Sequence, residues 1–404
     1  MSPLSRLRVA PVALAAAILT LPACNMNQAS APDPVLQEER LDPWSGPAQR
    51  QSIAAASHET LVDAKRDAIA SYPLSIFGET PNSRVAAMAP HRNFDPTENL
   101  SQVTFATEGG DFDPDVAPSG TQIFFASTRH RPTADIYVQT IGGPAVTQLT
   151  SDPAQDVMPA VSPDGSKVAF ASNRNGSYDI YVMDAAGGQP VRVTENDAHE
   201  IHPTWSPDGS TLAYCRLSQQ SDRWEIWATD LDKPSAHTFL TFGLFPEFHP
   251  TEDTLLYQRS RERGDRFFSI WTVRVEDGQA VAPTEIAASS ISAIINPSWS
   301  PDGRFIACST VFTPEQTDPD GRPEYADVWI LDTNGAMKTN VTGGWFLNTM
   351  PTWTPDGDVL FVSNRAGVQT VWSLKPFSAI TTAGLQPPSN PNSGVATAPT
   401  SDDD

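Results

Sequence analysis

The sequence predicts an all-β fold, a six-bladed β-propeller closed by an N-terminal outer strand, and three observations carry that expectation. A phrase Pro-x-[Trp/Phe/Val]-x-Pro recurs six times, beginning at Pro114, Pro159, Pro203, Pro246, Pro297 and Pro351. Successive starts lie 45, 44, 43, 51 and 54 residues apart, which suits one four-stranded blade of roughly 40–50 residues. Within each period the chain offers four short β-prone runs separated by Pro, Gly, Asn and Asp. Finally, a run matching the fourth strand of a blade, Leu100-Ser101-Gln102-Val103-Thr104, stands before the first repeat, while the last repeat fades after Trp372-Ser373-Leu374-Lys375-Pro376.

The second repeat shows the elements in order. Met158-Pro159-Ala160-Val161-Ser162 is the first run, and Pro163-Asp164-Gly165 turns the chain. Proline presets φ at the second position of a type I turn, and glycine is favoured at the fourth. The two prolines are expected at the ends of the first strand, where a missing N–H is tolerated. Lys167 to Ser172 forms the second run, Asp179 to Asp184 the third and Val191-Arg192-Val193-Thr194 the fourth. No helical period competes between about residues 100 and 376.

The third run carries an aromatic at one position in every repeat: Tyr137, Tyr181, Trp227, Trp271, Trp329 and Trp372. These read as wedges between blades, because each ring buries about 150–250 Å² and blades that cannot bury a face alone must stack. The alternative is a set of rings lining a ligand site. The distance from Thr104 to Pro114 nearly equals that from Thr150 to Pro159, so the leading run is expected to complete the last blade and remove an exposed edge.

Outside the repeats, residues 1–23 read as a secretory signal: Arg6 and Arg8, an apolar run from Val9 to Leu21, then Pro22-Ala23. The run is shorter than the about 20 residues that span a bilayer. Leu21-Pro22-Ala23-Cys24 is similar to a bacterial lipobox, which implies lipidation of Cys24. Pro22 departs from the small residue usual there, and an ordinary cleavage site with a free thiol is the alternative. Two or more acyl chains give stable anchoring. Asn25 differs from the Asp that retains many such lipoproteins at the inner membrane, so the resemblance implies the outer membrane. Residues 24–97 are expected to be a tether with a short helix over 49–70. The repeats fill 98–376, and 377–404 reads as a disordered tail.

The formal net charge is −22, and the signal segment removes two arginines and no acid, leaving the rest more acidic still. That argues against nucleic acid or anionic lipid as a partner, since both need clustered Lys and Arg. Cys215 and Cys308 fall in the second strands of non-neighbouring blades and are expected to be two buried thiols rather than a disulfide.

The repeat resembles that of the TolB family, a WD40-like repeat with Pro-x-Trp-Ser-Pro-Asp-Gly, Ile-Ala-Phe-x-Ser-x-Arg, Asp-Ile-Tyr and Leu-Thr. Pro203 to Gly209, Val168 to Arg174, Asp179-Ile180-Tyr181 and Leu149-Thr150 carry the resemblance, which covers about residues 98–376. It implies export and a propeller that docks envelope proteins in the periplasm. The α/β domain that it also implies ahead of the propeller does not fit the tether-like residues found there, so the expectation is a TolB-like lipoprotein and not TolB itself. Propellers host unrelated activities.

The residues three before each first proline are expected near one mouth of the central channel: Asp111, Asp156, Glu200, Gly243, Ile294 and Asn348. With His202, the polar members Asp111, Asp156, Glu200 and Asn348 form a candidate docking arc for a basic partner. The alternative is that they organise local backbone. Arg129, Arg174, Arg261 and Arg365 follow second strands and are expected to pair with blade acids. His199 and His202 make a weak metal pair, and Asp318-Pro319-Asp320-Gly321 with Asp327 a weak calcium loop; no metal site or other cofactor is expected. No Gly-x-Ser-x-Gly elbow occurs, and no nucleophile and base can be assembled. The expected function is therefore a non-catalytic envelope scaffold, its contact loops at 258–268 and 311–326. A metal-dependent hydrolase or small-ligand binder using the channel mouth is the alternative.

Overall fold

The computed structural model describes residues 99–381, apart from 222, 261–267, 290–291, 313–324, 334–336, 343–345 and 377–379. The signal segment, Cys24, the tether with its 49–70 helix and the tail from 382 onward lie outside the described residues, as do Arg261, Asp318 to Gly321 and most of both long inserts.

Twenty-four strands form six four-stranded antiparallel sheets among the described residues. Blade 1 is β2 (Asp111–Val116), β3 (Gln122–Ser127), β4 (Asp135–Thr140) and β5 (Val146–Gln148). Blade 2 is β6 (Asp156–Val161), β7 (Lys167–Asn175), β8 (Ser177–Asp184) and β9 (Val191–Arg192). Blade 3 is β10 (Glu200–Trp205), β11 (Thr211–Ser218), β12 (Arg223–Asp230) and β13 (His237–Phe242). Blade 4 is β14 (Leu244–Phe248), β15 (Thr254–Ser260), β16 (Phe268–Glu276) and β17 (Gln279–Ala287). Blade 5 is β18 (Ser292–Trp299), β19 (Phe305–Phe312), β20 (Asp327–Asp332) and β21 (Lys338–Asn340). Blade 6 is β22 (Asn348–Trp353), β23 (Val359–Ser363), β24 (Thr370–Leu374) and, from the other end of the repeats, β1 (Leu100–Gln102).

The closure is the one the sequence predicts. Leu100 pairs with Leu374 and Gln102 with Trp372. Beyond them, Thr104 Oγ1 accepts from the Val371 N–H at 3.0 Å. Thr150, Thr194 and Thr342 do the same for Ile136, Ile180 and Val328 at 2.9 Å. In blades 1, 2 and 5 the Leu-Thr or Val-Thr element is thus a clamp from outer to third strand, and Thr104 supplies it for blade 6, which the chain's other end completes.

The second strands are the core. Ile123 to Ala126, Val168 to Ala171 and Leu212 to Cys215 are essentially inaccessible. Apolar clusters join blade 3 to 4, 4 to 5, 5 to 6 and 6 to 1. In the last, Phe125 and Tyr137 pack with Leu360 and Val371. Trp271, Trp329 and Trp372 lie at the margins of such clusters, which gives the repeated aromatics their wedge role. Cys215 and Cys308 are buried free thiols, as expected, and burial pushes both thiols well up.

The turns follow the sequence reading. Gly165 N–H donates to the Ser162 carbonyl at 2.8 Å, with equivalent turns ending at Gly120, Gly209, Gly303 and Gly357. Asp164 tightens its turn by accepting from Ser162 Oγ and the Ser166 N–H, which holds its carboxyl down at about 2.

One local expectation is overturned. The first proline of each pair lies inside the inner strand, not at its end, and the residue before it is a β-bulge. Register breaks there in all six inner strands. Asp113, Met158, His202, Phe245, Asn296 and Met350 have φ of 48–56°. Proline cannot donate to the ladder, so the pairing must skip that point, and a bulge absorbs the skip. Holding a non-glycine residue in the left-handed region costs about 1 kcal/mol or more, and the fold does so six times around its axis.

Candidate functional site in the central channel

The six bulges converge on a cavity of about 430 Å³ lined by the inner strands and the prolines of both motif positions. It has two levels. The bulge residues Asp113, Met158, His202, Phe245, Asn296 and Met350 form the first. The residues two further on, Asp115, Ala160, Thr204, Glu247, Ser298 and Thr352, form the second.

Several of these side chains reach the inner strand of the next blade. Asp113 Oδ2 accepts from the Met158 N–H at 3.2 Å, and Asp115 Oδ2 from Val161 N–H at 2.6 Å. Thr204 Oγ1 accepts from Phe248 N–H at 3.3 Å. Glu247 Oε1 accepts from Trp299 N–H at 2.9 Å and Ser298 Oγ at 3.2 Å. Trp205 and Trp353 reach back one blade, donating from Nε1 to the carbonyls of Ala160 at 2.8 Å and Ser298 at 3.2 Å. The inner strands are thereby laced together around the channel.

Electrostatically the cavity is one-sided. Its lining includes three carboxyls and no lysine or arginine. Burial raises Asp113 to about 7, Asp115 to about 6 and Glu247 to about 8, against the smaller opposing pull of the backbone N–H donors. The Asp115 charge adds to the rise at Glu247, its counterpart three blades away. Burial also takes His202 down to about 3, so its ring is neutral. The ring lies 4.1 Å from that of Phe245, and its Nε2 has no partner. Asn296 is only 7 % exposed, and its Oδ1 is likewise without a hydrogen bond.

The strand-start residues singled out by the sequence lie elsewhere. Asp111, Asp156, Glu200 and Asn348 are each 0 % exposed and outside the cavity lining. Both oxygens of Asp111 accept from Arg129 at 2.7 Å, and both oxygens of Asp156 accept from Arg174 at 3.0 Å. Glu200 accepts from Arg216 Nε at 2.7 Å, and Asn348 Oδ1 from Arg365 at 2.8 Å. Each guanidinium also covers an aromatic wedge, Arg174 lying 4.7 Å from the Tyr181 ring and Arg216 4.2 Å from Trp227. Of the predicted docking residues only His202 lines the channel; the others belong to these buried carboxylate–arginine–aromatic stacks.

Sequence reasoning found Arg129, Arg174 and Arg365 but passed over Arg216. It sits on the second strand, directly opposite Glu200 in register, not two residues beyond it. His199 and His202 part company: His199 Nδ1 accepts from Tyr178 N–H at 3.2 Å, while His202 faces the channel. Asp327 accepts from Asn340 and Thr342. Among the described residues, no group of three or more His, Cys, Asp or Glu is arranged to hold a metal ion.

Fold and channel together define a closed six-bladed propeller with an acidic, partly apolar central cavity. A family model described as TolB beta propeller domain matches residues 97–284. Among solved structures, a protein from Agrobacterium tumefaciens designated TolB matches at 22 % identity and a TM-score of 0.54, over 69 % of this chain and 97 % of that one. TolB from Acinetobacter baumannii matches at 18 % identity and a TM-score of 0.46, over 57 % of this chain and 54 % of that one. An oligogalacturonate lyase from Vibrio parahaemolyticus matches at 14 % and 0.48, over 69 % and 93 %. A search of curated proteins found no match to this chain. Residues 97–284, a little under half of the chain, thus match the TolB propeller family model, and the fold shared with the Agrobacterium tumefaciens protein is the six-bladed β-propeller.

Proposed function

We propose that this protein is an exported lipoprotein, anchored through Cys24 to the outer membrane and facing the periplasm, whose propeller docks envelope proteins without a reaction of its own. The observation that carries this reading is the closure of the ring. β1 completes blade 6 through three paired residues and the Thr104 clamp, and side chains lace neighbouring inner strands. Such a frame holds the loops at its two mouths in fixed relative positions, which suits binding surfaces. The TolB-like repeat and the lipobox-like Leu21-Pro22-Ala23-Cys24 support the location. The strand-start acids contribute by fixing the blades, so contact with a partner falls to the loops and the channel.

Photo-crosslinking in intact cells tests this directly. A crosslinking residue at Thr251, beside the channel, should trap a discrete protein partner, whereas one at the exposed outer-strand position Val191 should not. Equal, diffuse labelling from both positions would overturn the docking reading. Cys24→Ala should release the protein from the membrane fraction; unchanged sedimentation with membranes would refute the anchor. A second reading, a small-ligand-binding propeller, is favoured by one observation, the unpaired carboxyls of the channel.

A further inference from the structure

We propose that the central channel binds an organic cation, a protonated amine or guanidinium on an apolar stem, held among Asp113, Asp115 and Glu247. This site is distinct from the docking loops and stands whether or not a protein partner exists.

The buried acids of the molecule divide by counter-charge. The strand-start carboxylates Asp111, Asp156 and Glu200 are each matched by an arginine, whereas the cavity lining holds three carboxyls and no lysine or arginine. Within the channel those three meet only backbone N–H groups and one serine hydroxyl. A buried carboxylate is costly without a counter-charge, so the channel leaves open a position of positive charge that the protein does not fill.

A second observation is independent of the acids. Asn296, in the bulge of blade 5 and more than nine-tenths buried, lines the same cavity with its Oδ1 unpartnered. Buried polar atoms without a partner are uncommon and call for an explanation. An N–H donor from a ligand would provide one.

The rest of the wall selects the kind of cation. Met158, Phe245 and Met350 alternate with the polar residues of the bulge level. They offer a polarizable and aromatic surface for methylene groups and a ring face for the cation. Neutral His202 adds no competing positive charge. The carboxyls are spread over two levels and opposite blades instead of gathering around a point, and no metal-type cluster is formed among the described residues. Spread charge suits an extended cation better than a bare metal ion. The volume, about 430 Å³, falls in the range of small-molecule sites.

Isothermal titration of the mature full-length protein with 1,5-diaminopentane, n-pentylamine and n-pentanol tests the proposal. Both amines should bind, the diamine more tightly, and the alcohol should not. Binding should release protons at neutral pH, seen as a dependence of the heat on the buffer's ionisation enthalpy, because the cation favours the ionised carboxyls. Glu247→Gln and Asp113→Asn, each checked for an undiminished melting temperature, should weaken amine binding at least about tenfold, the loss of one charge-assisted contact. A capped lysine peptide separates two sources of the same chemistry. Tighter binding of the peptide points to a side chain of a partner, and tighter binding of the diamine to a free amine. Equal binding of amine and alcohol, or affinity unchanged in both folded variants, would overturn the proposal.

Discussion

Asp111, Asp113 and Asp115 stand in one strand, two residues apart, and meet two opposite fates. Asp111 is sealed under Arg129 inside a stack of guanidinium and ring. Asp113 and Asp115 face a channel lined by no lysine or arginine, and burial pushes them toward protonation. Charge count or position in the chain cannot separate them. What separates them is the bulge, which turns the strand at Asp113 and directs the following side chains toward the axis. In this protein the paired acids tie strands together within a blade, and the unpaired ones give the axis its chemistry.

Breaking a pair should produce the largest effect. Arg174→Met leaves Asp156 buried without its counter-charge and uncovers Tyr181, so it should cost about 3–5 kcal/mol. Denaturant midpoints of the variant and parent check this. Asp156→Asn, which keeps an acceptor for Arg174, should cost less.

The channel acids should behave in the reverse sense. Glu247 is raised to about 8 in the folded chain, against about 4.3 when unfolded. The folded state thus binds the extra proton, and stability from this group falls as pH rises between those values. Glu247→Gln removes the titration and keeps an acceptor for the Trp299 N–H. It should match the parent near about pH 4 and exceed it by about 1–3 kcal/mol near about pH 9. Urea melts across that range decide it; a variant less stable at the alkaline end would contradict the assignment.

Blade 4 tests whether a stack can be missing. Gly243 takes the strand-start position there, and a Cβ on it would lie 2.5 Å from the Tyr257 ring and 2.9 Å from the Gln258 carbonyl. Gly243→Ala should therefore cost about 1–3 kcal/mol by overpacking, read from thermal melts. Blade 6 tests whether a stack can be improved. Asn348 gives Arg365 a neutral acceptor, and burial lowers that guanidinium to about 10. Asn348→Asp should add about 1 kcal/mol through a charge-assisted bond, the smallest of these effects.

The blade count, the Thr104 closure and the wedge aromatics could be read from the chain because each is a local pattern repeated at one period. Thr104 nearly matches Thr150 and Thr194 in distance from the first proline of the following motif, and the hydrogen bonds of all three agree. The channel could not be read the same way. Its residues vary from blade to blade, and the bulge that exposes them is made by Asp, Met, His, Phe and Asn rather than by glycine, so nothing marks a left-handed residue. The residues three before each first proline are strand starts, and the channel residues lie two and four positions beyond them, at the bulge and past it. Arg216 escaped for a related reason. It answers Glu200 across the ladder, a relation set by register and invisible in the linear spacing that revealed Arg174.

The most direct measurement is an infrared pH titration of the carboxyl C=O stretch, comparing the parent with an Asp113→Asn/Glu247→Gln double variant. The parent should show a protonated-carboxyl band at neutral pH that is lost toward about pH 9 and is much reduced in the folded variant, where only Asp115 of the three channel acids, raised to about 6, remains. Spectra of parent and variant without such a band at neutral pH would show the channel carboxyls ionised, and the distinction between paired and unpaired acids would fall.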